Sequence, residues 1–420
     1  MSIGRALPPA GAQIAFSSII SGICGIVVGE RELERFQREL KEHFGARHCF
    51  LVSSGKAALS LILRGLKELS PHREEVVIPA FTCYSVPSSV VRAGLRIRLC
   101  DLHPQLLDFD FTQVSAMLSD LDRKPLAVVS THLFGIPADV ARLRKLVRDS
   151  GVAIVEDAAQ AMGEVTEDVM VGSLGDVSFF SLGRGKPFSA VEGGVILTNR
   201  DDLGESLNGF MSCLPRYGLL PLLKVVFKAA ALMVFIHPRL FWVPRSMPSL
   251  RLGETLFDPH FPILRMSSFQ AGLARNWRQK LAMLRDVRRK QVNRWVTILE
   301  ANRLQGSCFL GARSLGLPRF PLRVSDTKKR ESLLRESARI GLGIMPTYPT
   351  SIDAIPELKG RIGGGPFPVA EGCARELVTL PTHGYVTEDD VSEVCRLVSR
   401  ALGQSDVSAP VKDRLSLVER

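Results

Sequence analysis

Three short stretches hold residues whose types could do chemistry together. In VAIVEDAAQAMG (152–163) a carboxylate, Asp157, follows directly on an apolar run, at the carboxyl end of an expected strand. In DVSFFSLGRGKPFSAVEGG (176–194) Ser181 and Lys186 follow a second apolar run. In SSGKAAL (53–59) Ser54, Gly55 and Lys56 open an expected helix, whose first N–H groups and dipole suit a phosphate. Each feature has an ordinary explanation. Asp157 can cap the helix after its strand, and Lys186 and Lys56 can be solvated loop lysines. Together, and in this order, they supply what a pyridoxal phosphate site requires. That is a lysine to form the Schiff base, an acid to keep the pyridine nitrogen protonated, and a helix N-terminus for the phosphate.

The elements that must position them alternate. HCFLVSSG, EEVVIPA, RIRLCDL, PLAVVSTHLFG, VAIVEDAAQ, DVSFFSL and GGVILTN read as short buried strands between about 45 and 200. KAALSLILRGLKEL and SVPSSVVRAGL read as helices among them. This implies a mainly parallel α/β sheet covered on both faces, with ligands at the carboxyl ends of its strands. From about 265 to 300 the pattern is helical. Beyond 316, strands (RFPLRV, ELVTLP) mix with helices (TKKRESLLRESARIG, TEDDVSEVCRLVSRAL), as in a small α+β domain. The expected division is an arm and helix over 1–44, a large domain over 45–264 with an apolar insertion at 215–262, a connecting helix and small domain over 265–405, and a loose tail over 406–420.

The insertion stands apart. GLLPLLKVVFKAAALMVFIHPRLFWVP (218–244) has an 18-residue apolar core from Leu219 to Ile236, near the lower limit for a membrane span. Lys224 and Lys228 interrupt it on one helix face, and Pro221 and Pro238 bracket it. With Phe241 and Trp242 beyond its end, it suits a membrane interface better than a crossing. Burial against the domain or a dimer partner fits the same letters.

Composition bounds the rest. The eight cysteines form no C-x-x-C pair and have no clustered histidines, so neither a zinc site nor a disulfide framework is expected, and a reducing, cytoplasmic compartment is. The net charge of +11 suits nucleic acid, anionic lipid or phosphorylated substrates. No zinc finger, RNP-like pattern or dense basic helix accompanies it, so no nucleic-acid partner is expected. His132 and His383 could be read as a hydrolytic site, but no G-x-S-x-G elbow is present.

Over residues 15 to 400 the sequence resembles the DegT/StrS sugar-nucleotide aminotransferases, which are pyridoxal phosphate enzymes of fold type I. SSGKAALSLILRGL resembles their S-S-G-T-x-A-L segment, and EEVVIPAFTCYSVPSSVVRAGLRIRLCDL resembles E-V-I-V-P-A-F-T. THLFGIPADVARLRKLVRDSGVAIVEDAAQAMGEV resembles H-L-Y-G-x-P-A-D…I-E-D-A-A-Q-A-H-G, and VGSLGDVSFFSLGRGKPFSAVEGGVILTN resembles G-S-x-G-D…F-S-F-x-x-x-K…G-G. RMSSFQAGLA resembles R-M-S-E-x-Q-A-A-L-G, and ELVTLPTHGYVTEDDVSEV resembles L-P-x-H…T-E-x-D-V.

The resemblance implies an aspartate-aminotransferase-like three-layer domain with a smaller α+β C-terminal domain. It implies pyridoxal 5'-phosphate as cofactor and conversion of a keto-sugar nucleotide to an amino-sugar nucleotide, with glutamate as donor, in polysaccharide or glycoconjugate synthesis. By the same resemblance Lys186 is the Schiff-base lysine and proton shuttle, and Asp157 pairs with the pyridinium nitrogen. Gln160 lies by the phenolic oxygen, and Ser181 with Ser54, Gly55 and Lys56 binds the phosphate. His132, Arg265, Tyr348 and His383 are candidate substrate contacts. Arg265 and Tyr348 are equally readable as an interface ion pair and a packed tyrosine. A homodimer is implied, because resembling enzymes share the active site between subunits.

The departures define a second reading. Lys56 replaces threonine, Cys83 replaces the aromatic that stacks on the ring (with Tyr84 one residue on), Met162 replaces histidine, Pro187 replaces asparagine, and Ile263 stands where asparagine reaches the neighbouring subunit's phosphate. A diverged member serving as a membrane-associated scaffold, or catalysing a different pyridoxal phosphate reaction, would tolerate these. Peripheral contact with the inner face of the cell membrane through 218–244 fits either reading.

Overall fold

A computed structural model describes residues 4–120, 122–247, 253–309, 311–360 and 362–403. The tail expected at 406–420 lies outside them. Two helices open the chain, α1 (Phe16–Val28) and α2 (Glu30–Phe44), the latter ending at Gly45 in the left-handed conformation that glycine adopts most cheaply. The central sheet is then laid down by β1 (His48–Val52), β2 (Glu75–Pro79), β3 (Arg96–Cys100), β4 (Ala127–Thr131) and β5 (Ala153–Asp157). A small hairpin, β6 (Val165–Thr166) and β7 (Val169–Met170), precedes the last two sheet strands, β8 (Val177–Ser181) and β9 (Gly194–Thr198). The helices between them are α3 (Gly55–Leu69), α4 (Ser85–Arg92), α5 (Phe111–Ser119) and α6 (Val140–Val147).

The seven strands lie in the order β1-β9-β8-β5-β4-β2-β3. All neighbours are parallel except β9, which runs antiparallel to both β1 and β8. Successive side chains point to opposite faces of a strand. Phe50 and Val52 therefore enter one core while Cys49 and Leu51 enter another, and Val177 and Phe179 part from Phe180 in the same way. Both faces are covered, giving the three-layer arrangement expected.

The register decides where the chemistry collects. Thr131 pairs with Asp157, Asp157 with Phe179, Ser181 with Gly194, and Gly194 with Val52. The ends of β4, β5, β8 and β1 thus share one edge of the sheet. α3 starts there, capped by the Ser54 side chain, which accepts from the Ala57 N–H at 3.1 Å.

After α7 (Asp201–Cys213) comes the apolar segment. The helix expected over 219–236 forms as α8 (Leu219–Phe235), and a second helix, α9 (Pro238–Arg245), follows it. His237 takes an extended conformation and Pro238 opens the second helix, so Phe241 and Trp242 lie beyond the end of α8, on α9. Helices α10 (Ser268–Leu273) and α11 (Trp277–Ala301) lead to a second, antiparallel sheet. Its strands are β10 (Arg319–Arg323), β11 (Met345–Pro346) and β12 (Leu377–Pro381), in the order β10-β12-β11, with α12 (Thr327–Ile340), α13 (Pro368–Glu376) and α14 (Glu388–Ala401) around them.

Candidate active site

At the end of β5 the Asp157 carboxylate is buried, accepting the Ala159 N–H at 3.1 Å. Burial pushes its pKa above the ordinary carboxylate value, and the nearby positive charge of Lys186 is the largest opposing influence. A buried acid in that position is matched to a cationic partner. Behind it, Glu156 points to the other face and accepts the N–H groups of Gly172, Leu174 and Gly175 and the ring of His132. Burial raises the Glu156 pKa, but these donors outweigh it and hold the carboxyl below its ordinary value. The strand end that carries Asp157 is thereby pinned.

Lys186 lies in the turn between β8 and β9, half-buried, and its ammonium makes no hydrogen bond or ion pair among the described residues. The turn itself is held firmly. Arg288 on α11, only 2% exposed, donates to the carbonyls of Pro187 (2.6 Å), Gly11 (3.2 Å) and Lys186 (3.4 Å). Among the described residues its guanidinium forms no ion pair, and burial lowers its pKa to about 10 against the opposing influence of Glu164. Val191 in the same turn has φ of 73°, a conformation costly for a β-branched residue.

Ser181 ends β8 against the first turn of α3. A Cβ added to Gly55 would lie 2.9 Å from the Ser181 Cβ and 3.2 Å from its Oγ. Glycine therefore keeps open a cradle floored by a hydroxyl and the leading N–H groups of a helix, which lack intrahelical partners. The donors and the opening fit a phosphate group. Lys56 is not part of this cradle's charge and is not free in solvent either. Its ammonium contacts Asp258 at 3.3 Å and sits 4.6 Å over the Phe261 ring.

A second wall faces Asp157. The Gln160 amide donates to the Tyr348 hydroxyl at 3.1 Å, and Tyr348 packs between Phe81 (centroids 5.3 Å apart) and Phe134 (5.9 Å, stacked). Burial pushes the Tyr348 phenol far above its ordinary value, so it stays protonated. Phe134, at φ 57°, is held in a left-handed conformation by the turn after β4. Cys83 is half-buried and acts electrostatically on both Tyr348 and Arg319. Tyr84 does not take over the stacking role of an aromatic at position 83. Its hydroxyl is turned to Thr350, 2.5 Å from Oγ1 and accepting the backbone N–H at 3.0 Å.

The remaining expected contacts lie elsewhere. His132 is buried with both ring nitrogens engaged, Nδ1 by the Ala138 N–H (2.9 Å) and Nε2 by Glu156 (3.1 Å). It supports Asp157 from behind, where its N–H reaches the Asp157 carbonyl, and has no ring atom left for substrate. His383 is likewise buried, donating Nε2–H to the Pro8 carbonyl (2.7 Å) while Nδ1 accepts the Tyr385 N–H. Burial brings its pKa down to about 4. It holds the N-terminal arm. Arg265 bridges Val52 at the end of β1 through its backbone, while its side chain donates to the Met211 carbonyl (2.9 Å) and lies 4.0 Å from Glu30, an ion pair within the chain.

Arg288 beside Lys186, and Arg319, Phe81 and Phe134 beside Tyr348, escape sequence reasoning. The two arginines sit among 54 basic residues, and nothing in their local pattern separates them from solvated ones.

Comparison with known proteins agrees with this geometry. Residues 24–221 and 262–399 match the model of the DegT/DnrJ/EryC1/StrS aminotransferase family, and the segment passed over holds most of α8 and all of α9. The chain is 30% identical over 169 residues to GDP-perosamine synthase from Vibrio cholerae, covering 40% of this chain and 45% of that protein. It is 32% identical over 170 residues to 3-amino-5-hydroxybenzoate synthase from Amycolatopsis mediterranei, covering 40% and 42%. The chain thus spans less than half the length of these curated relatives. Among solved structures, Helicobacter pylori PseC, an aminotransferase of pseudoaminic acid biosynthesis, superposes with a TM-score of 0.74 at 17% identity, covering 95% of this chain and 99% of that one. The fold is therefore that of these enzymes, and the extent of the family match means that the chain belongs to the DegT/DnrJ/EryC1/StrS aminotransferase family.

Proposed function

We propose that the protein is a pyridoxal phosphate-dependent aminotransferase that replaces a keto oxygen on a sugar nucleotide with an amino group taken from glutamate. The observation that carries this is the unbonded Lys186 ammonium, held on a clamped turn close to the buried Asp157 carboxylate. A scaffold needs neither group, and burying an acid without use is costly. The cofactor would be held by Asp157 at its ring nitrogen, by Gln160 at its phenolic oxygen, and by Ser181 and the first turn of α3 at its phosphate. When bound it supplies an electron sink for the carbon that loses or gains a proton. Lys186 would anchor it and would carry that proton, while Tyr348 and its aromatic neighbours would exclude water from one side. The relatives' names span GDP-linked and UDP-linked sugars and an aminohydroxybenzoate, with L-glutamine the named donor in one group. A sugar nucleotide is the class that the GDP-linked and UDP-linked names share with the structural neighbours.

Purified protein mixed with pyridoxal phosphate is expected to show an absorbance band near the visible edge that Lys186→Ala abolishes. A folded wild type without the band refutes the reading.

The α8 surface supports a homodimer. Val225 and Ala229 are buried, whereas Leu219, Leu220 and Phe227 are 73%, 73% and 74% exposed. α1, which packs against α8, exposes Phe16, Ile23 and Val27 as well. Together these residues form a joint exposed apolar face, the kind of surface that marks a contact with another protein chain. Peripheral membrane contact has weaker support. Lys228 is tied to Glu192 at 3.2 Å, leaving Lys224 for lipid, and no described helix is long and apolar enough to cross a membrane. Sedimentation should show a dimer that Phe227→Asp with Leu220→Asp dissociates. A wild-type monomer that floats with anionic vesicles would reverse the order of the two.

A further inference from the structure

The apolar insertion encloses a cleft of about 350 Å³, within the usual size of a small-molecule pocket. One wall is α8, through Phe227, Ala231, Leu232 and Phe235, and the other is α9, through Phe241 and Val243. The extended His237 and the start at Pro238 let α9 pack beside α8. Both walls are held from outside. Val225 and Ala229 seat α8 on the domain, the Pro238 carbonyl accepts the Ala6 N–H at 2.9 Å, and Arg245 donates to the Ala338 carbonyl at 2.8 Å. Apart from Arg184, every residue lining the cleft lies between 221 and 262, in the segment that the family model passes over. The cleft is therefore built from chain outside the family match.

Two cations stand at the cleft, Arg184 and Lys228. Lys228 is answered by Glu192 at 3.2 Å, a carboxylate that also accepts the Tyr217 hydroxyl at 3.0 Å. That pair ties α8 to the loop between Lys186 and β9. Arg184, exposed and two residues before Lys186, makes no hydrogen bond or ion pair among the described residues. Neither does Lys224, one turn before Lys228, which lines a neighbouring hollow that shares Phe227 and Lys228 with the cleft. Three cations against one carboxylate leave a surplus of two positive charges beside an apolar space.

A purely apolar guest would leave that charge unanswered, and a small anion would leave the cleft unfilled. We infer that the cleft binds a single-chain amphiphile, its hydrocarbon tail between α8 and α9 and its phosphate head at Arg184 and Lys224. A phosphate monoester carries close to two negative charges at neutral pH, which matches the surplus, and the arginine fork suits its oxygens. At about 30 Å³ per methylene, the volume a water takes in liquid, the cleft has room for roughly a dozen. The face of α8 used here carries Lys228, Leu232, Phe235 and Ile236 at helical spacing. Leu220 and Phe227, seven residues apart, mark the adjoining face proposed for the homodimer, and Phe227 stands on the border of the two. Because Arg184 precedes Lys186 by two residues, a bound head lies at the Lys186 turn. The site goes beyond the aminotransferase reading and stands without it.

Calorimetric titration of the full chain, with pyridoxal phosphate present, uses octyl, decyl, dodecyl and tetradecyl phosphate below their micelle concentrations. Affinity is expected to rise roughly tenfold for each two methylenes as far as dodecyl, and to level off at tetradecyl. Ala231→Trp, which fills the cleft, should weaken decyl phosphate at least about tenfold. Phe235→Gln, which removes part of the apolar wall, should do the same should tryptophan disturb the fold, with circular dichroism to identify the folded variant. Arg184→Gln combined with Lys224→Gln should weaken decyl phosphate by roughly tenfold and leave decanol unchanged. Decanoate, with a single charge, should bind the wild type more weakly than decyl phosphate. Binding that ignores tail length, or that both cleft variants leave intact, overturns the assignment. Decanoate or decanol bound as tightly as decyl phosphate overturns the phosphate head. Flotation with vesicles of anionic phospholipid, without saturable binding of the monomeric amphiphile, makes a lipid surface the occupant and refutes the proposal. Binding that appears only when Phe227→Asp with Leu220→Asp dissociates a dimer refutes it too, since a second copy of the chain then fills the cleft.

Discussion

Replacing Arg288 with methionine tests whether the Lys186 turn is held from α11. Methionine fills most of the aliphatic volume and removes all three hydrogen bonds, leaving the carbonyls of Pro187, Gly11 and Lys186 without their donor. A hydrogen bond to a charged group contributes roughly 1.5–3 kcal/mol, so three sum to about 5–9 kcal/mol. Burying the guanidinium costs several kcal/mol, and that cost disappears with the side chain. The remainder, about 3–5 kcal/mol, is the expected loss of stability. It corresponds to a drop of roughly 0.5–1 M in the guanidinium chloride midpoint for a chain of this size. Because two of the three carbonyls belong to the Lys186 turn, the folded fraction should also bind pyridoxal phosphate more weakly and give a smaller visible band. Arg288→Lys, which offers a point charge in place of a fork, should lie between the two. A methionine variant with the wild-type midpoint and the wild-type band would refute the argument, since the turn would then be rigid without its clamp.

Two further outcomes follow from the geometry. Gly55→Ala places a methyl group 2.9 Å from the Ser181 Cβ, so titration with pyridoxal phosphate should weaken at least about tenfold, or about 1.4 kcal/mol; alanine's better helix propensity keeps the unfolding midpoint near wild type. His383 is held neutral, with its folded pKa brought to about 4 against an ordinary 6.5. The unfolded chain therefore takes up the proton first as pH falls, and His383's contribution is complete above pH 6.5 and is lost between there and about 4. At 1.36 kcal/mol per unit this amounts to about 3 kcal/mol, read as a falling denaturation midpoint that His383→Gln should flatten across that window.

The candidate residues were legible because each stretch that carries them follows a strand, and strand ends are legible. VAIVED places Asp157, FFSLGRGK places Ser181 and Lys186, and SSGKAAL places the first turn of α3. Parallel βα units must put such residues on one edge of the sheet, and the register of β1, β8 and β5 does so. The antiparallel course of β9 was not legible. Its letters are equally apolar in either direction, and only pairing with both β1 and β8 distinguishes them.

Local letters also misplaced several partners. His132 and His383 look available in sequence because histidine suits so many sites, yet burial gives each ring two backbone or carboxylate partners. Lys56 looks like a phosphate ligand until Asp258 and Phe261, two hundred residues on, take its ammonium. The amino-acid sequence by itself determined the fold class, because periodicity is local, and its family motifs pointed to the cofactor chemistry and to the candidate residues for it. Only the tertiary structure decided which of the many arginines clamp the turn or stand unmatched, and which face of the apolar insertion is left uncovered. A charge has meaning only against its counter-ion, and that counter-ion, or its absence, is set by chain brought together from far away.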